Sequence, residues 1–177
     1  MTRLLQQSDF KVRQDMEIDP SFQQPIPYTI IWNPELQKVI AYKRSSDETI
    51  AGDQRLYGKW SIGVGGHIEQ DIVGDTSPVE TTALREIAEE AHITNLEKLE
   101  LLGYINDNSD EVGRVHFGVV YLAITATQDA TINDGEMEKV TLLSLEEIQH
   151  IIDSPDAVLE SRSHLAFQYL KQYLTQH

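Results

Sequence analysis

Apolar positions between residues 28 and 44 fall into two short runs, Tyr28-Thr29-Ile30-Ile31-Trp32 and Val39-Ile40-Ala41-Tyr42-Lys43-Arg44, with Asn33-Pro34 between them. Such β-branched and aromatic runs, bounded by turn formers, predict two strands joined by a turn. Residues 60–69 read as a strand running into a glycine turn at Gly65-Gly66. Farther along, residues 99–105 and the long run 115–125 predict two more strands separated by a polar loop at 106–113, and residues 140–143 a further short one. There are no repeats or low-complexity segments.

Between these runs the spacing changes to that of helices. Ser77 suits an N-cap, Pro78 the first helical position, and Glu80 would complete a capping box, so a helix is expected to start at Pro78. Leu84, Ile87, Ala88 and Ala91 recur at i, i+3, i+4 and i+7 as an apolar stripe, while Glu86, Glu89 and Glu90 recur on another face. Ser144-Leu145-Glu146-Glu147 is a capping box that opens a helix to about Ile152, and Ser154-Pro155 opens the last one. The first twenty-four residues carry little periodicity; they read as an extension, whether an added strand or an arm. Strands before and after a helix, with another helix at the end, predict an α/β fold in which a mixed sheet lies between helices.

The acidic face of the first long helix opposes helix physics. Glu86 and Glu90 are like charges four residues apart, and Glu89 and Glu90 sit in the last turns, where the macrodipole favours cations. A plain alternative is a solvated face on which Arg85 pairs with Glu89. A hard divalent cation bound through carboxylate oxygens offsets the same repulsion and also explains the glycine turn just upstream.

These residues resemble the Nudix hydrolases, whose signature is Gly-x5-Glu-x7-Arg-Glu-U-x-Glu-Glu-x-Gly-U with U aliphatic. Arg85, Glu86, Ile87, Glu89, Glu90 and Ile93 fill its second half in register, and the residues from Trp60 to Glu69 look like the strand and turn that lead into it. The stretch from Gly66 to Arg85 is five residues longer than the signature, so no acid stands where the early glutamate belongs; Asp71 and Asp75 in the inserted loop are candidates to replace it. His92 stands where the signature has glycine, and its expected conformation at the helix end is left-handed. The resemblance implies a Nudix-like α/β/α sandwich over residues 25–177, following an extension at 1–24. It also implies hydrolysis of a diphosphate linkage with Mg²⁺ or Mn²⁺ as cofactor. Glu86, Glu89 and Glu90 then become metal ligands, joined by the Gly65 carbonyl, and Arg85 a group that orients them. The general base in such proteins is often a glutamate downstream, and Glu136 and Glu138 in Asp134-Gly135-Glu136-Met137-Glu138 are both candidates, Glu138 favoured by its nearness to a strand.

Composition narrows the partners. A chain of 177 residues, 40% apolar and carrying a formal charge of −15, suggests one domain with an adequate core and argues against a duplex nucleic-acid surface. The chain has no cysteine, no apolar leader after Met1 and no run able to span a bilayer, so the cytoplasm is the expected compartment and no membrane partner is expected. Without cysteine, the isoprenoid diphosphate isomerase chemistry found on this fold is set aside. An anionic small-molecule substrate would be met by cations, so Arg44, Arg55 and Lys59 are candidate phosphate contacts, with His67 after the glycine turn another. His116, inside a strand, ranks lower. Tyr57, together with Tyr28 and Trp60, could stack on a base. Monomer and homodimer both remain open, as does a non-catalytic Nudix module that senses a ligand or binds a partner.

Overall fold

The computed structural model describes residues 9–47, 54–72, 77–129 and 137–177. A short helix α1 (Arg13–Met16) precedes strands β1 (Gln24–Asn33) and β2 (Lys38–Arg44). Two two-residue strands, β3 (Trp60–Ser61) and β4 (Gly63–Val64), lead to helix α2 (Pro78–Glu90). Then come β5 (Lys98–Ile105), a one-turn helix α3 (Glu111–Val115), β6 (His116–Ile124), β7 (Met137–Ser144), and helices α4 (Leu145–Asp153) and α5 (Ser161–Gln176). The strands form one mixed sheet ordered β3-β2-β1-β6-β5, with β4 joined to β1 and β7 to β2. Strands β1 and β6 run parallel through nine residue pairs, Gln24↔His116 to Trp32↔Ile124.

Both central strands are buried along almost their whole length, which is why they read as continuous apolar runs without alternation. One sheet face packs Tyr28, Ile30, Trp32, Val120 and Leu122 under Ile148 of α4 and Phe167 and Leu170 of α5. The other packs Ile31, Ile40 and Ala123 against Ile87 and Ala91, with Val79 and Ala83 set on Val119 and Tyr121. Helices on both faces make the expected α/β/α sandwich. Burying one side chain such as Ile87 contributes roughly 1.5–3 kcal/mol.

Four local expectations need correction. Helix α2 begins at Pro78 as expected, but the Ser77 hydroxyl lies 3.3 Å from the Glu80 carboxylate and makes no cap bond to a backbone N–H. Of its expected stripe Ile87 and Ala91 are buried, but Leu84 is 44% exposed, and Val79 and Ala83 complete the buried face instead. The polar loop ends in α3, which Asp110 caps by accepting the Gly113 N–H at 2.7 Å. The last helix starts at Ser161 and not at Ser154-Pro155, since residues 158–160 are extended instead: Trp60 N–H donates to the Val158 carbonyl and Glu160 N–H to the Trp60 carbonyl. By contrast, both halves of the Ser144–Glu147 capping box are formed. His92 has φ of 55°, the left-handed C-terminal conformation expected of it.

Candidate functional site

The glycine turn and α2 meet through one guanidinium. Arg85 donates to Glu86 at 2.6 Å, to Glu89 at 2.8 Å and to the His67 carbonyl at 3.1 Å, and lies 3.5 Å from the Glu69 carboxylate. A four-fold contact of this kind fixes the turn against the helix and orients two carboxylates at once. Glycine is required at the approach: a Cβ on Gly66 would run into the Glu86 carboxylate, and one on Gly65 into the Pro27 carbonyl.

Glu86 is buried, and its carboxyl is pushed above the usual range, first by burial and then by the Glu89 charge, with Arg85 opposing. The Glu90 carboxyl lies within hydrogen-bonding reach of it. Three carboxylates and one guanidinium therefore share this corner, an excess of negative charge of the kind a bound cation balances.

Beside the turn, the cleft between the β1–β6 ends and the start of α5 has about 620 Å³ of open space, solvent mouth included. Its wall includes Arg44, Asp107, Asp110, His116, Glu160 and Arg162, and it reaches the glycine turn at Gly65. The α2 carboxylates lie beyond that wall. Arg44 donates to Glu160 at 3.0 Å and lies near the Tyr42 hydroxyl, so its head is held at the cleft by a buried acid. Asp110 accepts from Ser161 at 2.8 Å as well as from Gly113; burial works to raise its carboxyl, but those bonds, with the charges of Lys59 and Arg162, hold it below the usual range.

The other residues singled out from the sequence are spread over the molecule. Arg55 pairs with Glu17 at 3.1 Å. Tyr57 lies in the turn after a short 3₁₀ segment, and its N–H bonds Gln54. Tyr28 is a buried residue whose hydroxyl bonds Ser163 at 2.6 Å and Ser61 at 3.0 Å and is pushed by burial to a pKa of about 12, and it also lines the cleft. Trp60 packs at the edge of the core. Glu138 lies on β7 and pairs with Lys43 at 3.2 Å, while Glu136 and Asp75 fall outside the described residues. His67 sits with His116 and Glu17 in a tight group. Glu69, Asp107, Asp110, Glu160 and Arg162 are polar site residues that sequence reasoning missed. Only Asp110 left a signal, an N-cap type of residue five before the next apolar run.

The model for the NUDIX domain matches residues 24–163, most of the chain. The chain belongs to the Nudix family. Protein YmaB from Bacillus subtilis (strain 168) is 37% identical over 133 residues, spanning 72% of this chain. The match covers only 61% of that curated relative's own length. Among solved structures, Tm1382, a candidate Nudix hydrolase, is 27% identical with a TM-score of 0.69 over 92% of this chain and 77% of its own. The NUDIX domain of Shewanella oneidensis NrtR, crystallised with ADP ribose, gives a TM-score of 0.65 at 19% identity, covering 98% of this chain and 97% of its own. A C. elegans Ap4A hydrolase complex gives 0.57 at 16%, over 86% and 99%. The last two are similar in fold. In this Nudix chain the box carries Glu69 beside its arginine, five residues of extra loop, and histidine where the signature has its second glycine. No helix among the described residues is long and apolar enough to cross a membrane.

Proposed function

We propose that this chain hydrolyses a diphosphate linkage in a nucleoside diphosphate derivative or a related small phosphate ester, with Mg²⁺ or Mn²⁺ as cofactor. The observation that carries the reading is the Arg85 clamp, which binds the glycine turn and aligns Glu86 and Glu89 on one helical face. The donor set suits a hard cation: it is all oxygen, it holds surplus negative charge around the buried Glu86, and glycine at position 66 leaves the space a side chain would fill. Glu86, Glu89, Glu90 and the Gly65 carbonyl are the groups assigned to hold it. Once bound, a divalent ion neutralises phosphate charge and acidifies a coordinated water.

The chain's own residues do the rest. Arg85 orients the carboxylates, and Gly66 lets Glu86 stand against the turn. Glu138, held by Lys43, is the group proposed to take the proton of the attacking water, a contribution of about 10²–10⁴-fold. Arg44 and Arg162 on the cleft wall meet an anionic group, while Asp107 and Asp110 on the same wall can accept from hydroxyls of a sugar.

The test is product release across a panel of nucleoside diphosphate derivatives, with and without Mg²⁺, for wild type and Glu90→Gln. Metal-dependent turnover that the variant lacks supports the reading. Tight binding of a panel member with no turnover in either protein would instead favour the non-catalytic sensing module.

A further inference from the structure

Three donors far apart in sequence converge beside the glycine turn. Glu17 follows α1, His67 follows Gly66, and His116 opens β6. Glu17 Oε1 lies 3.3 Å from His67 Nε2 and 3.5 Å from His116 Nε2, and all three donor atoms lie within 4.8 Å of one another. We infer that Glu17, His67 and His116 form a second metal site, selective for a borderline divalent ion of the Zn²⁺ class and separate from the carboxylates of α2.

Geometry carries the assignment. Donors at 2.0–2.1 Å from a tetrahedral ion stand about 3.3–3.4 Å apart, so two of the three edges, at 3.3 and 3.5 Å, are already close to that length. The third closes by a small rotation of the rings, which meet edge to face with centroids 5.5 Å apart. The tautomer of His116 fits as well: its Nδ1 lies 2.8 Å from the Val112 carbonyl and must carry the proton, leaving the Nε2 lone pair toward Glu17. The Gln24 amide, 3.4 Å away, is the other group near that nitrogen. His67 Nε2 is buried and makes no hydrogen bond of good geometry. Arg55 occupies the other Glu17 oxygen at 3.1 Å, orienting the carboxylate; Arg13, 3.7 Å from Oε1, competes for it.

Two imidazoles and one carboxylate suit Zn²⁺, whereas Mg²⁺ prefers oxygen alone. Three protein ligands leave a fourth position for water or a substrate oxygen. Glu17 lies before the residues matched by the family model, so the metal would tie the N-terminal segment to the Nudix core.

The experiment uses the full chain, stripped with a chelator and titrated with Zn²⁺ in the presence of excess Mg²⁺. Metal content after dialysis, and the visible spectrum after Co²⁺ loading, are the readouts. One Zn²⁺ per chain and a tetrahedral Co²⁺ spectrum are expected for wild type and for Glu89→Gln. His67→Gln and Glu17→Gln should each weaken Zn²⁺ binding by more than the ~100-fold that outer-shell partners command, with circular dichroism of the stripped proteins unchanged. Stripped wild type that takes up no Zn²⁺, or His67→Gln that binds it as wild type does, overturns the site. Loss of Zn²⁺ in Glu89→Gln but not in His67→Gln would show that α2 binds it instead.

Discussion

The backbone at Gly66 lies so close to the Glu86 carboxylate that no β-carbon fits between them, although nineteen other residues separate the two along the chain. The contact makes the turn and the helix a single unit, because Arg85 holds both the His67 carbonyl and Glu86.

Gly66→Ala should therefore fold, since the atom it meets is the end of a flexible side chain, but Glu86 must swing off Arg85. Hydrolysis is expected to fall at least about tenfold, ~1.4 kcal/mol in barrier, with a higher Mg²⁺ requirement. Steady-state rates against Mg²⁺ concentration check this; wild-type turnover at low Mg²⁺ would mean Glu86 does not need its present position.

Glu89→Gln and Glu90→Gln keep size and remove charge from the last turns of α2. Turnover should drop by orders of magnitude while the melting temperature holds or rises slightly, because the macrodipole disfavours acids there. Unchanged rates in either variant would remove that residue from the metal assignment.

Glu138→Gln should lower kcat by about 10²–10⁴-fold with little change in Mg²⁺ affinity. Glu136→Gln, on the preceding loop, is the paired comparison. Small and equal losses in both would place the base elsewhere.

The Arg44–Glu160 pair at the cleft is well buried, with side chains 20% and 8% exposed. Arg44→Met strands a buried acid and should cost about 3–5 kcal/mol, whereas Arg44→Met combined with Glu160→Leu should recover much of it. Urea unfolding of the two variants measures the difference. Equal stabilities would show that the pair contributes little.

Acid should destabilise the chelated protein in a defined window. His67 titrates near 6.5 when unfolded and at about 4 when folded, so between those values the unfolded chain binds the extra proton. The stability due to the neutral ring is fully present above pH 6.5 and is lost as pH falls toward 4. Glu17, also held low, adds loss in the same direction at the acid end; burial opposes its lowering, and His116 and Arg55 outweigh it. In His67→Gln the slope between pH 6.5 and 5 should flatten, as read from melting temperatures across that range. An identical slope would assign the acid loss to other groups.

Much of the fold was legible because its causes are local. Strand runs at 28–32, 39–44 and 115–125, the Pro78 start of α2 and the Ser144–Glu147 box depend on residues within one turn of each other, and all were found where expected. The resemblance of residues 85–93 to the Nudix signature likewise needs only spacing. Leu84 misled because helical period locates a stripe but not which flank of it meets the sheet; Val79 and Ala83 are small enough to let α2 sit closer. The start of α5 lies later than expected for a similar reason, since residues 158–160 are extended by their bonds to Trp60, about a hundred positions upstream. Arg85 could be given a guess at Glu89, but not its hold on the His67 carbonyl or on Glu69. The meeting of Glu17, His67 and His116 lay wholly beyond the sequence: periodicity reaches a few residues, and only the parallel pairing of β1 with β6, which sets Gln24 opposite His116, brings the N-terminal segment to the glycine turn.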